Sequence, residues 1–234
     1  MTPNRMPRLL FLLLVLLAAA LLVAGCGDDS SSSDSDAGDD AAETSDSGDD
    51  AEGGGSDVAA RDGKYDAPPT LKLDPAKDYV ATIETDKGSF DIAVDQKAAP
   101  IAAANFVFLV GEGFYDGVPF HRIIKDFMIQ TGDPTGTGTG GPGYELKDDP
   151  VKGEYTRGTV AMANAGPNTG GSQFFIVHGS NVELPKNYVI FGSVDDAGMK
   201  VVDEIAEVEV EVGASGEPSQ PVEPVNIVTA TLAD

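Results

Sequence analysis

Residues 120–133 read FHRIIKDFMIQTGD. Two β-type runs lie inside this stretch, HRII and FMIQ, parted by the polar pair Lys125-Asp126. Large apolar side chains alternate loosely with single polar ones, which is the composition of short strands that keep one face in a core. Taken by themselves, the aromatic and Met residues read as strand interior and Arg122 as a surface charge. A second stretch of the same character, MANAGPNTGGSQFFI, runs from Met162 to Ile176.

Working outward, further strand-like runs appear at YVATIET, SFDIAVD, GTVAM, SQFFIVH, YVIFGSV and NIVTATL. The first two flank Asp86-Lys87-Gly88, a hairpin signal. From Pro100 to Val110, Ile101, Ala104 and Phe108 recur at helical spacing, with Pro at the start and Gly111 beyond the end, which predicts one short helix. A second is predicted at GMKVVDEIAE, where Met199, Val202 and Ile205 share a face. Many short strands with only two helices argue for a mainly β fold, a barrel or sandwich, over a parallel α/β sheet.

The chain has 234 residues, 41% of them apolar, with 28 Gly and 15 Pro, enough for one packed, turn-rich core. Its formal net charge of −24 excludes a general nucleic-acid binder, which needs a basic face to displace counterions. The single cysteine excludes an intrachain disulfide or a Cys-rich zinc site. The charge is unevenly spread. Residues 1–25 carry two arginines and no acid, and residues 27–57 carry twelve acids and no base.

Those two segments read as targeting and spacing. Arg5 and Arg8 precede an uncharged run from Leu9 to Gly25 that ends at Cys26, which is a secretory signal pattern over residues 1–25. An uncleaved anchor helix is the alternative, since the run sits at the lower limit for spanning ~30 Å of hydrocarbon. Val23-Ala24-Gly25-Cys26 resembles the lipobox of bacterial lipoproteins, which implies lipidation of Cys26 and an extracytoplasmic, membrane-anchored protein. Residues 26–77 are expected to be an extended acidic spacer, and residues 78–234 the folded body. An EF-hand reading of DSDAGDD fails because Gly38 and Asp39 stand where the loop needs an acid or amide followed by Gly.

Other motifs dissolve on reading. GTGTGG, residues 136–141, matches G-x-G-x-x-G but runs into Pro142 rather than a helix that could hold a pyrophosphate. His121 and His178 are the only imidazoles and lie 57 residues apart, outside any H-E-x-x-H arrangement, so no metal is expected. No G-x-S-x-G elbow occurs. The expected protein needs neither metal nor cofactor.

From about Tyr79 to Leu232 the chain resembles the cyclophilin-type peptidyl-prolyl cis-trans isomerases, carried by FHRII, FMIQ, MANAGPNT, GSQFFI and VIFG in family order. The resemblance implies a closed eight-stranded antiparallel barrel capped by two helices, acting on proline-containing polypeptides. It implies that Arg122 is the catalytic arginine. Phe127, Met128 and Phe175 would line the proline pocket with Leu184 at its edge, and Gln130, Ala163, Asn164 and Gln173 would hold the substrate backbone. Tyr188 stands where many members carry His and is expected to preserve the groove wall. Glu183 stands where many eukaryotic members carry Trp, which argues against tight cyclosporin binding. Lys125-Asp126 replaces a usual Pro-Gly. A monomeric isomerase of exported proteins is the leading expectation, and a tethered proline-peptide binding module with little catalysis is the alternative.

Overall fold

A computed structural model describes residues 54–180, 182–213 and 216–233, so residues 1–53, with the signal pattern and Cys26, lie outside the described residues. Eight strands form one antiparallel sheet: β1 (Tyr79–Thr85), β2 (Gly88–Val94), β3 (Arg122–Ile124), β4 (Met128–Thr131), β5 (Thr159–Met162), β6 (Phe174–Val177), β7 (Ile190–Ser193) and β10 (Ile227–Leu232). Their order across the sheet is β10-β1-β2-β7-β5-β6-β4-β3. The eight predicted runs supply these eight strands. A separate hairpin, β8 (Val210–Val212) with β9 (Pro218–Pro221), was not anticipated. Its strands are short and mostly exposed, so they carry no alternating apolar pattern to read.

The sheet curls but is not laddered shut. Edge strands β3 and β10 share no ladder among the described residues. The segment before β3 meets the start of β10 through an isolated bridge between Pro119 and Asn226, a Phe120 N–H donated to the Val225 carbonyl at 2.8 Å, and Ile227, whose N–H donates to the Val118 carbonyl at 2.9 Å and whose carbonyl accepts the Gly117 N–H at 2.6 Å. The expectation of a closed barrel therefore overstated the closure. Pro119 lies beside this seam and has no N–H to extend a ladder.

Strand alternation sorts the side chains onto two faces. On β6, Phe174 and Ile176 point into the main core while Phe175 and Val177 belong to a smaller apolar cluster with Met128. On β4, Ile129 points inward and Met128 outward. A period of two is what a pleated strand imposes, so both faces of this sheet are partly apolar. Inside, Phe106 of α2 packs against Phe174 and Phe191 with ring centroids 5.5 and 5.1 Å away.

Both predicted helices are present, α2 at Pro100–Gly111 and α3 at Gly198–Ala206, after a short α1 at Gly54–Ala59. Ala99 gives α2 no side-chain cap. Instead the buried Asp149 carboxylate accepts the Ile101 and Ala102 N–H groups at 2.8 and 2.9 Å from 48 and 47 residues away. A carboxylate there also faces the positive end of the helix dipole. On α3, Met199, Val202 and Ile205 are buried as their spacing predicts.

Part of the stretch assigned to the spacer, residues 58–65, lies against the body. Val58 is buried, and Arg61 Nη1 donates to the carbonyls of Phe114 and Asp116. The Gly63 and Tyr65 N–H groups donate to Gly141 and Pro142 carbonyls at 3.0 and 2.8 Å. The Tyr65 ring packs on Phe108 at 5.4 Å and on Phe114 and Tyr144 at 6.3 Å each. The physical reason is compositional: the acidic run has no apolar anchor, whereas Val58 and Tyr65 have surface to bury.

Candidate active site

The outward face of β4 and β6 is the floor of the site. In the β3–β4 ladder Arg122 pairs with Gln130, and in β4–β6 Gln130 pairs with Phe175 and Met128 with Val177. Register thus sets Arg122, Gln130 and Phe175 side by side across three strands, and the alternation above turns Met128 and Phe175 outward. Phe127 is placed by the turn between β3 and β4. Its N–H donates to the Ile124 carbonyl at 3.0 Å, and its own carbonyl accepts the His178 and Gly179 N–H groups at 3.0 and 3.2 Å. That turn needs left-handed backbone at Asp126, with φ of 61°, a conformation Asp tolerates better than most side chains. The Asp126 N–H donates to His178 Nδ1 at 2.9 Å, so Nε2 carries the ring proton and donates to Asp203 at 3.0 Å. Lys125-Asp126 therefore makes the turn by a polar brace.

A pocket of about 180 Å³ is lined by Arg122, Phe127, Met128, Gln130, Ala163, Asn164, Phe175, Leu184 and Tyr188. Gln173 lines an adjoining hollow of about 590 Å³, which shares Gln130, Ala163 and Asn164 with the pocket. All ten side chains named from the sequence thus fall on one continuous depression. Glu183 is exposed and outside the pocket lining.

The pocket walls are held from behind. The Phe175 and Tyr188 rings meet edge to face at 5.3 Å. Tyr188 is clamped by Tyr155, whose hydroxyl donates to the Tyr188 carbonyl at 2.8 Å and accepts its N–H at 2.9 Å. Asn164 donates through Nδ2 to the Asn187 carbonyl at 2.9 Å and accepts the Gly166 N–H at 3.2 Å. Gln130 Nε2 donates to Gln173 Oε1 at 2.9 Å, and Gln173 Nε2 donates to the Gly138 and Gly140 carbonyls at 3.0 and 2.9 Å. The glycine-rich stretch 136–141 is therefore a wall of the depression, fastened by the buried Asp133 carboxylate. Asp133 accepts N–H bonds from Thr135, Gly138 and Gly140 at 2.7, 2.6 and 3.1 Å.

Among the described residues, Arg122 is the one basic side chain in the pocket lining. Its Nε–H donates to Glu217 Oε2 at 2.9 Å, Nη1 lies 3.5 Å from the Met128 sulfur, and its guanidinium carbon lies 5.8 Å from the centre of the Phe127 ring. Sequence reading missed Glu217 and Tyr155, which act on partners 95 and 33 residues away, and Asp133, whose local hydrogen bonds to Thr135, Gly138 and Gly140 carry no motif that marks them as part of the site. Among the described residues, no group of three or more His, Cys, Asp or Glu could hold a metal ion.

The family model described as cyclophilin type peptidyl-prolyl cis-trans isomerase/CLD matches residues 80–232. This chain is a member of the cyclophilin-type isomerase family. It is 48% identical to a Synechococcus elongatus peptidyl-prolyl cis-trans isomerase over 123 residues, 52% of this chain and 85% of that one. It is 40% identical to the Mycobacterium tuberculosis peptidyl-prolyl cis-trans isomerase A over 177 residues, 68% of this chain and 94% of the relative. A Cryptosporidium parvum cyclophilin crystallised in the presence of the dipeptide Ala-Pro superposes with a TM-score of 0.60 at 33% identity, covering 66% of this chain and 99% of that one. Like its cyclophilin relatives, the protein is a peptidyl-prolyl cis-trans isomerase.

Beside the arginine of this cyclophilin site, neither ring nitrogen of His121 has a partner among the described residues. Burial pushes its pKa below the ordinary 6.5. The Asp133 carboxylate pulls it back up and Arg122 pushes it down, leaving a net lowering. The unfolded chain then takes up a proton at higher pH than the folded one. Stability from this group is full above about pH 6.5 and is lost as pH falls below it. Unfolding midpoints in urea should decline from pH 7.5 to 5, less steeply in His121→Gln. An equal slope in the variant would assign the decline to other groups.

Proposed function

We propose that Arg122 catalyses rotation about X-Pro bonds in exported proteins while the pocket grips the proline ring. The carrying observation is one fixed guanidinium set at the edge of a small, mainly apolar pocket. An amide resists rotation because its nitrogen lone pair is delocalised, with a barrier of ~18–20 kcal/mol. In the twisted transition state the lone pair localises on the prolyl nitrogen. A cation with rigid N–H donors binds that state more strongly than either planar ground state. Phe127, Met128 and Phe175 would hold the ring, and Gln130, Asn164 and the Ala163 backbone the chain beside it, while the preceding carbonyl turns. No proton transfer, nucleophile or bound group takes part in this scheme.

The setting proposed for this chemistry is outside the cytoplasm, with a monomer lipidated at Cys26 and anchored to the bacterial cell membrane. The supporting feature is the sequence pattern at residues 5–26. The proposed tether is the acidic segment 27–53, whose length as a flexible chain corresponds to roughly 30 Å root-mean-square span, more with self-repulsion of its acids. The test is a proline-isomerisation assay on the full chain in detergent, with palmitate labelling in a bacterial host as its companion. Uncatalysed exchange takes tens to hundreds of seconds, so acceleration is easily seen. A folded chain that binds proline peptides without accelerating them would replace the catalyst with a binding module. Label retained in Cys26→Ser would overturn the anchor.

A further inference from the structure

The catalytic arginine of the proposed mechanism is not held by its own strand. It sits in β3, with its side chain 32% exposed and reaching across the surface. A long, half-exposed arginine samples many rotamers, and each one that leaves the pocket edge is catalytically idle. Glu217 stands immediately before β9, and its side chain is 41% exposed. Its backbone carbonyl accepts the Gly213 N–H at 3.1 Å, and the Gly216 N–H closes the same turn onto the Gly213 carbonyl at 3.0 Å. The carboxylate is thus delivered from the β8–β9 hairpin, 95 residues along the chain from Arg122.

Only one edge of the guanidinium is engaged by this pair. Glu217 Oε2 takes the Nε–H at 2.9 Å. The Nη1 nitrogen lies on the Met128 side, against the pocket wall. We infer that Glu217 is a positioning residue for Arg122: by holding Nε from outside the pocket, it orients the Nη donors toward the prolyl nitrogen. This rests on the isomerase reading with Arg122 at the transition state. Because the arginine acts on the twisted state and not on the bound peptide, loss of its orientation should appear in kcat and hardly in KM.

The test compares Glu217→Ala and Glu217→Gln with the wild type and Arg122→Ala, all as full chains in detergent, on one proline peptide. For a part-exposed pair, Glu217→Ala should lower kcat about two- to fivefold, with KM nearly unchanged. Glu217→Gln should recover most of the loss, since its amide oxygen still accepts Nε–H. In ¹⁵N spectra, the Arg122 Nε–H signal should be sharp in the wild type and the Gln variant and broadened in the Ala variant. An active wild type whose kcat is unchanged or raised in Glu217→Ala would overturn the inference. So would an Ala-variant loss that Gln fails to recover. A wild type with no acceleration would instead bring down the isomerase reading, while the Nε–H signal still reports whether the pair orders the guanidinium.

Discussion

Replacing Arg122 with alanine is expected to lower kcat by about 10²–10³-fold, the cost of removing one preorganised donor aimed at developing charge. Peptide affinity should change little, since the apolar walls contributed by Phe127, Met128 and Phe175 are untouched. Arg122→Lys is the sharper variant. It keeps a positive charge but loses the planar fork and the Nε–H that meets Glu217. If charge alone sufficed, Lys would recover most of the activity. If the fork matters, it should stay within about tenfold of Ala, since an Arg-to-Lys change at a forked site is not conservative. Single-turnover and steady-state measurements on one peptide would separate these outcomes. Equal losses in affinity and turnover for Arg122→Ala would assign Arg122 to ground-state binding.

What could be read from the sequence follows the range of the interactions involved. Alternation and turn chemistry act over a few residues, so the eight strands of the main sheet and helices α2 and α3 were legible. The residues on the pocket face came from a resemblance, and register explains their meeting: Met128 and Phe175 are outward positions on neighbouring strands. Parts that depend on distant partners were not legible. Tyr155 clamps Tyr188 from 33 residues away, and Asp149 caps α2 from 48. The docked segment was missed because a sparse pattern such as Val58 and Tyr65 gains its meaning only from the aromatic side chains it meets. GTGTGG, set aside as a dinucleotide motif from the sequence, was legible as a loop but not as part of the site. Its glycines serve a wall that is wrapped around a carboxylate.

That carboxylate carries the second large effect. Gly132, at φ of 91°, lets the chain leave β4 so close to β6 that a Cβ there would lie 2.3 Å from the Ser172 carbonyl oxygen. Asp133 follows, fully buried, and gathers three backbone N–H groups and the Thr135 hydroxyl. Burial pushes its carboxyl up, but the hydrogen bonds from Thr135, Gly140 and Gly138 outweigh it and hold the group below its ordinary 3.8. Its contribution to stability is therefore present above pH 4 and lost as pH falls through the lowered value. Asp133→Ala leaves those donors buried without an acceptor, at a cost of about 3 kcal/mol or more. The loop that fastens Gln173 through the Gly138 and Gly140 carbonyls should then loosen. Peptide KM should rise several-fold while kcat stays within about twofold, because Arg122 and its Glu217 contact lie on other elements. Urea midpoints and steady-state kinetics on Asp133→Ala and Asp133→Asn would read both effects. The Asn variant should fall between Ala and wild type, since one amide oxygen replaces two acceptors. A fall in kcat with KM unchanged would mean that the loop positions Arg122 and not the substrate backbone.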